Sequence, residues 1–333
     1  MIAEVLSTHT PALFAAAVKR VAELLRAGEI VALPTETVYG LAANALNAEA
    51  VAKIFEAKGR PAHNPIIVHV ADVALARGCV TQWPTVAGEL SRAFWPGPLT
   101  LVLPKAAAIP DLVTAGGTTV GVRWPSHPFI QAVIRECGFP LAAPSANLSN
   151  QISPTNAAHV RKQLGGKIRL VVDGGQSQVG IESTVVDLTS QPPAVLRPGM
   201  IHEESLIAVT GDLISARKKS VGGALRSPGL LAKHYAPKAR LIVLGWHSAA
   251  ELRSRIAPPA SRIHVIAHTN IPSGEGCAGV SVIPHDAEAF ARAIYAELHR
   301  CDEAGADLII VEALPDAPAW RAIADRLQRA AAP

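Results

Sequence analysis

Apolar residues recur three and four apart through Leu13, Phe14, Ala17, Val18, Val21, Leu24 and Leu25, between Thr10-Pro11 and Gly28. That spacing predicts a helix with Thr10 as its N-cap, proline in its first turn and glycine as its stop. An unbroken apolar run, Ile30 to Leu33, then reads as a buried strand and leads into Pro34-Thr35-Glu36-Thr37-Val38-Tyr39-Gly40. The alternation continues with a helix near 47–56, strands over 65–70, 99–103 and 119–123, and a helix over 129–137. A short strand over 141–143, a helix over 157–164 and strands over 170–173, 183–187 and 194–196 complete the first region. Periodicity fades from about residue 208 and resumes near 239. Strands are then expected over 241–244, 263–267, 280–283 and 308–311, with helices over 249–256, 287–301 and 319–330. Strands separated by helices suggest a small, separate α/β layer with near-parallel strands.

The chain has 333 residues, long enough for two domains, of which 49% are hydrophobic and 17% charged. No apolar run reaches the roughly 18–20 residues of a membrane helix. The start, Met1-Ile2-Ala3-Glu4, lacks the basic region of a signal peptide. Cys79, Cys137, Cys277 and Cys301 are scattered, with no C-x-x-C pair and no spacing for a metal, so reduced thiols in a cytoplasmic protein are expected. The net charge of +4 is uneven. Residues 1–207 hold 16 Lys+Arg against 15 Asp+Glu, 208–238 hold 6 against 1, and 239–333 hold 9 against 11. The basic excess therefore belongs to the connector.

Among the candidate chemistries, Lys58-Gly59-Arg60-Pro61-Ala62-His63-Asn64-Pro65 stands out. Two cations one residue apart, read as extended and so pointing the same way, suit a polyphosphate. Pro61 and Pro65 stiffen the turn. Taken alone, the stretch fits a solvated basic turn as well. Ser145-Ala146-Asn147 opens a second polar loop, which alone also reads as a cap and turn before the helix over 157–164. There is no G-x-x-x-x-G-K-[ST]. The G-x-G-x-x-G match at Gly274–Gly279 precedes a strand and opens no helix, so it reads as a plain loop. Ser145 lacks the G-x-S-x-G elbow of a hydrolase nucleophile. What remains is a set of polar loops at strand ends, where open α/β sheets bind ligands. Cations with hydroxyl and amide donors, and no poised nucleophile, suit nucleotidyl transfer by positioning and charge neutralisation.

The order Pro34-Thr35-Glu36-Thr37-Val38-Tyr39-Gly40-Leu41, Lys58-Gly59-Arg60 with Asn64-Pro65, Ser145-Ala146-Asn147, Glu182-Ser183-Thr184-Val185-Val186-Asp187 and Leu196-Arg197-Pro198-Gly199 resembles the YrdC-like threonylcarbamoyl-AMP synthases. Ser227-Pro228-Gly229, His234-Tyr235-Ala236-Pro237 and the region after them resemble that family's longer, two-domain form. The resemblance implies an α/β fold: a twisted mixed sheet with surrounding helices over 1–207, a linker or lid over 208–238, and a small Rossmann-like α/β domain over 239–333. It implies synthesis of L-threonylcarbamoyl adenylate from L-threonine, bicarbonate or CO2, and ATP, with release of pyrophosphate. Mg2+ would ride on the ATP phosphates. Carried over by motif, Lys58, Arg60, Asn64, Thr119, Ser145, Asn147, Ser153, Arg197 and Tyr235 contact the nucleotide, with Lys58 and Arg60 as the catalytic pair and no side chain as metal ligand. Thr37, His69, Arg123, Ser183 and the backbone of Ala143 hold threonine. Downstream partners would be tRNA-modifying transferase proteins, and the basic connector is a candidate for weak contact with RNA; no membrane partner is implied. Asn150 stands where the family usually has glycine, a place where asparagine tolerates a left-handed backbone. Two rival readings are a double-stranded RNA-binding module, against which the near-neutral first region speaks, and a carbamoyl transferase acting on another substrate.

Overall fold

A computed structural model describes residues 3–215, 227–229, 234–256, 262–274 and 276–332. Arg217 to Gly223, the cationic part of the predicted lid, lies outside the described residues.

Two sheets organise the α/β fold. In the larger, mixed sheet, Val31–Leu33 runs antiparallel to Gly40–Asn44, which pairs with Leu141–Ala142. Val68–His69 follows and lies parallel to Thr119–Arg123, bringing His69 level with Arg123. Beyond these come Leu99–Pro104, Thr184–Asp187 and Ala194–Arg197. Helix Pro11–Arg26, capped by Thr10 as expected, buries Val21 and Leu25 with Phe129 and Val133 of helix Pro128–Cys137 on one face. Helix Ala48–Lys58 buries Val51 and Ile54 on the other face, against Leu41, Val68 and Leu101. Covering both faces explains why the strands read as continuous apolar runs.

Several predicted bounds shift, each for a local reason. The strand expected over 65–70 is reduced to Val68–His69. Pro65 brings no N–H to a ladder, and its carbonyl is taken by the Arg60 guanidinium. Gly40–Asn44 forms a strand where no element was expected. Its small residues permit close approach, since a Cβ on Gly40 would stand 3.3 Å from that of Ala143. Lys58 and Arg60 are not two positions of an extended segment. Lys58 ends the helix and Gly59 caps it in the left-handed region at φ 60°, a conformation that suits glycine. The large sheet also continues past residue 207. After helix Glu203–Thr210, strand Ile214–Ser215 pairs with the otherwise open edge of Ala194–Arg197.

The smaller sheet is all parallel, in the spatial order Arg240–Leu244, Leu308–Glu312, Ile263–Ala267, Gly279–Val282. Helices Ala287–Glu303 and Arg321–Ala330 join it to the larger unit. Phe290, Ile294, Tyr295 and Ile323 share one buried cluster with Val38, Ile152, Ile181 and Tyr235. Among the described residues, no helix is long and apolar enough to cross a membrane.

Candidate active site

The strand ends of the larger sheet surround a cleft of about 540 Å3, part of it open to solvent. Thr37, Arg60, His69, Arg123, Ala143, Ser145, Ser183, Arg197 and Tyr235 line it, together with Thr35, Glu36's neighbour, and Glu182, His234, Pro228 and Gly229.

One wall is built by a turn after Val31–Leu33. Thr35 Oγ1 donates to the Val38 carbonyl at 2.6 Å and accepts from the Thr37 amide at 3.2 Å. With that proton committed, Thr37 is the donor in the 3.0 Å contact between the two hydroxyls. Arg123 Nη1 donates to Thr37 Oγ1 at 2.9 Å, and Arg123 Nη2 lies 2.7 Å from Glu36 Oε1. Both charges are buried. Burial alone would raise the Glu36 pKa, but Arg123 and the Ser126 amide hold it below the usual carboxylate value. Burial pushes His69, beside this pair, down to about 3, so its imidazole is neutral.

The opposite wall centres on Ser183. Its hydroxyl is 2.8 Å from Thr100 Oγ1, while Arg197 donates from Nε to the Ser183 carbonyl at 3.0 Å and from Nη2 to the Ser183 hydroxyl at 3.1 Å. Arg197 Nη1 also donates to the Pro228 carbonyl at 3.2 Å. Pro228 and Gly229 thereby form part of the cleft wall. Tyr235 lies deep against it, and a Cβ on Gly229 would meet the Tyr235 hydroxyl at 2.4 Å.

The two cations of the starting motif reach this region from one cap. Arg60 donates from Nε to the Asn64 carbonyl at 3.0 Å and from Nη2 to the Pro65 carbonyl at 2.6 Å. Lys58 Nζ donates to the carbonyls of Ser145 and Asn147 at 2.6 and 2.5 Å, which ties the two polar loops together. Neither cation has a carboxylate partner among the described residues. Burial therefore works against both charges, pushing Arg60 down to about 9 and Lys58 well below its ordinary value. A bound polyanion would remove that penalty.

Five predicted residues lie off the lining, the buried Lys58 among them. Asn64 and Asn147 are buried beside it, and Asn147 donates from Nδ2 to the Gln151 carbonyl at 2.7 Å. Thr119 faces a smaller cavity with Thr114, Gly121, Ser227 and Pro228. Ser153 is buried and donates to Glu182 Oε1 at 2.6 Å. Asn150 has φ 66°, the left-handed backbone its substitution for glycine requires.

The residues that sequence reasoning passed over are Glu36, Glu182, Thr100 and His234. Three of them, Glu36, Glu182 and His234, sit inside the motifs already singled out, but a carboxylate in a polar loop reads as solvated until its arginine is seen. Buried side-chain atoms without a partner concentrate here: Glu36 Oε2, both polar atoms of the Asn64 amide, His69 Nδ1, His234 Nδ1 and the Tyr235 hydroxyl. Buried polar groups are normally paired, so this concentration marks a surface shaped for a ligand.

Residues 23–199 match the family model described as "Telomere recombination", of the Sua5, YciO and YrdC proteins. Residues 201–332 match "Threonylcarbamoyl-AMP synthase, C-terminal domain". The chain belongs to the threonylcarbamoyl-AMP synthase family, in its two-domain form. A curated family member from Pyrococcus abyssi is 40% identical, with 93% of this chain and 92% of the relative aligned. One from Bacillus subtilis is 41% identical over 99% of this chain and 96% of its own. The crystal structure of P. abyssi Sua5 complexed with L-threonine superposes with a TM-score of 0.89 at 36% identity, covering 99% of this chain and 98% of that one. These likenesses do not favour either a double-stranded RNA-binding module or a carbamoyl transferase for another substrate.

Proposed function

We propose that this chain makes L-threonylcarbamoyl adenylate and pyrophosphate from L-threonine, bicarbonate or CO2, and ATP, as a nucleotidyl-transferring enzyme of the cytoplasm. The observation that carries the reading is the set of partnerless buried polar atoms around one cationic cleft, in a fold shared with a threonine-bound relative. In this reading residues 1–207, extended by strand Ile214–Ser215, form the catalytic unit. The connector through 238 is its lid, and residues 239–333 are the small second domain.

Thr37, His69, Arg123, Ser183 and the Ala143 backbone take threonine. The neutral His69 offers its ring as a hydrogen-bonding group without adding charge beside the Glu36–Arg123 pair. Lys58, Arg60, Asn64, Thr119, Ser145, Asn147, Ser153, Arg197 and Tyr235 serve the nucleotide. Threonine's amine captures CO2 as a carbamate, whose oxygen attacks the α-phosphorus while pyrophosphate leaves. Lys58 and Arg60 stabilise charge on the polyphosphate, as preorganised cations in a water-poor site do. The lid keeps water from a labile mixed anhydride. Mg2+ would come with the ATP phosphates and supply charge neutralisation there, since the carboxylates Glu36 and Glu182 are each engaged by an arginine. The product would feed transfer enzymes that modify a tRNA adenosine.

The test is to incubate the purified chain with ATP, L-threonine and bicarbonate and to seek the adenylate by mass spectrometry. Arg60→Ala should remain folded and lose at least about a hundredfold in pyrophosphate release, the magnitude of a lost transition-state donor. Near-normal turnover in that variant would refute the assignment.

A further inference from the structure

Glu182 stands at the back of the cleft, next in sequence to Ser183, and its carboxylate is held from the far side. Arg326 Nε donates to Glu182 Oε2 at 2.9 Å, and Arg326 Nη2 donates to the Glu182 backbone carbonyl at 3.2 Å. The Tyr295 hydroxyl donates to Oε2 at 3.1 Å. Both residues come from helices of the second domain, Arg321–Ala330 and Ala287–Glu303. Arg326 is 1% exposed and lies over the Tyr235 ring, 5.6 Å from its centre; Tyr295 stacks on the same ring at 5.9 Å. One turn further along, His299 Nε2 donates to the Ser153 carbonyl at 3.2 Å. The second domain thus reaches the nucleotide side of the cleft with three side chains.

The electrostatics give this contact a purpose. A buried carboxylate will recruit the nearest cations, and two arginines are in range. Burial would raise the Glu182 pKa; Arg326 first, and Arg197 second, hold it down instead. Arg197 is the residue assigned to the nucleotide, and three of its five N–H groups already serve Ser183 and Pro228. If Glu182 drew on the rest, an incoming phosphate would have to compete with an internal anion.

We propose that Arg326, supplied by the second domain, is a positioning residue that neutralises Glu182 and thereby keeps the Arg197 guanidinium available to the ATP phosphates. The inference rests on the functional reading above and gives the second domain a part in it. Loss of the Arg326 charge leaves Glu182 to bind Arg197, as a competitor for the polyphosphate. Removing the competing carboxylate as well should free Arg197 again.

The experiment is ATP titration by calorimetry on the full chain, with thermal melting to establish folding. R326M should weaken ATP binding about tenfold or more, the worth of a charge-assisted hydrogen bond. R326K, which keeps charge without the planar fork, should fall between the two. The decisive variant is the R326M/E182Q double, which should return ATP affinity to within about threefold of the wild type. An arginine that merely pins two domains together would give no such rescue. Wild-type affinity in folded R326M, or a double variant as weak as R326M, overturns the proposal. Should R326M fail to fold, the double is compared with E182Q alone, and a tenfold weaker double overturns it. Absence of ATP binding by the wild type would overturn the functional reading and this proposal together, whereas normal wild-type binding confines any failure to Arg326.

Discussion

Two neutral histidines in the cleft make the protein sensitive to acid in a calculable way. Burial pushes His69 and His234 from an ordinary 6.5 down to about 3. The unfolded chain therefore takes up protons that the folded one refuses between those values. The stability each contributes is complete above pH 6.5 and is lost as pH falls toward 3. At pH 5.5 an ordinary imidazole is roughly nine-tenths protonated, so each site costs about 1.4 kcal/mol relative to pH 8, and the two together about 3 kcal/mol. Equilibrium urea denaturation at both pH values, followed by tryptophan fluorescence, measures this on the wild type and on a His69→Asn/His234→Asn double variant. Contributions from other titrating groups cancel in the comparison. The wild type should lose about 3 kcal/mol more than the double variant on acidification. Equal losses in the two proteins would refute the claim that these imidazoles are held neutral by burial.

Two further outcomes follow from close contacts. Gly180 has φ +83°, and a Cβ there would stand 2.4 Å from the Ala291 carbonyl of helix Ala287–Glu303. Gly180→Ala should therefore cost at least ~2 kcal/mol, seen as a fall of several degrees in Tm; an unchanged Tm would show that the helix does not press on this loop. The Tyr235 hydroxyl is buried without a partner, so Tyr235→Phe should leave stability within ~0.5 kcal/mol while weakening ATP about tenfold. Calorimetry and melting read the two effects separately, and unaltered ATP affinity would remove Tyr235 from the nucleotide site.

Much of the architecture was readable because it depends on local signals. The helix after Thr10 was fixed by its cap, its proline and its apolar spacing, and the four strands of the smaller sheet by short apolar runs between helical ones. Gly40–Asn44 escaped because Gly-Leu-Ala-Ala-Asn carries neither alternation nor bulk, its strand character coming from its neighbours' close approach. The Lys58 and Arg60 pair was legible by composition, but the left-handed Gly59 that aims it required coordinates. Glu36 and Glu182 were hidden for a different reason. A carboxylate's part in a site depends on which cation faces it, and Arg123 and Arg326 are 87 and 144 residues away along the chain (123 − 36 and 326 − 182). Helical periodicity marks the face of Arg321–Ala330 that is buried, but not that an arginine on it enters another unit.

The span between Glu182 and Arg326 also bears on how the molecule comes into being. The partner that satisfies this buried carboxylate is made 144 residues after it (326 − 182). At translation rates of about 5–20 residues per second, the 144 residues between them occupy the ribosome for roughly 7–30 s. Once Ile214–Ser215 has been made, the larger sheet has all its strands, while its back wall still has no cation from the second domain. A nascent chain can thus fold early yet mature late, and premature termination before Arg326 would leave a sheet of native outline with an incomplete nucleotide site.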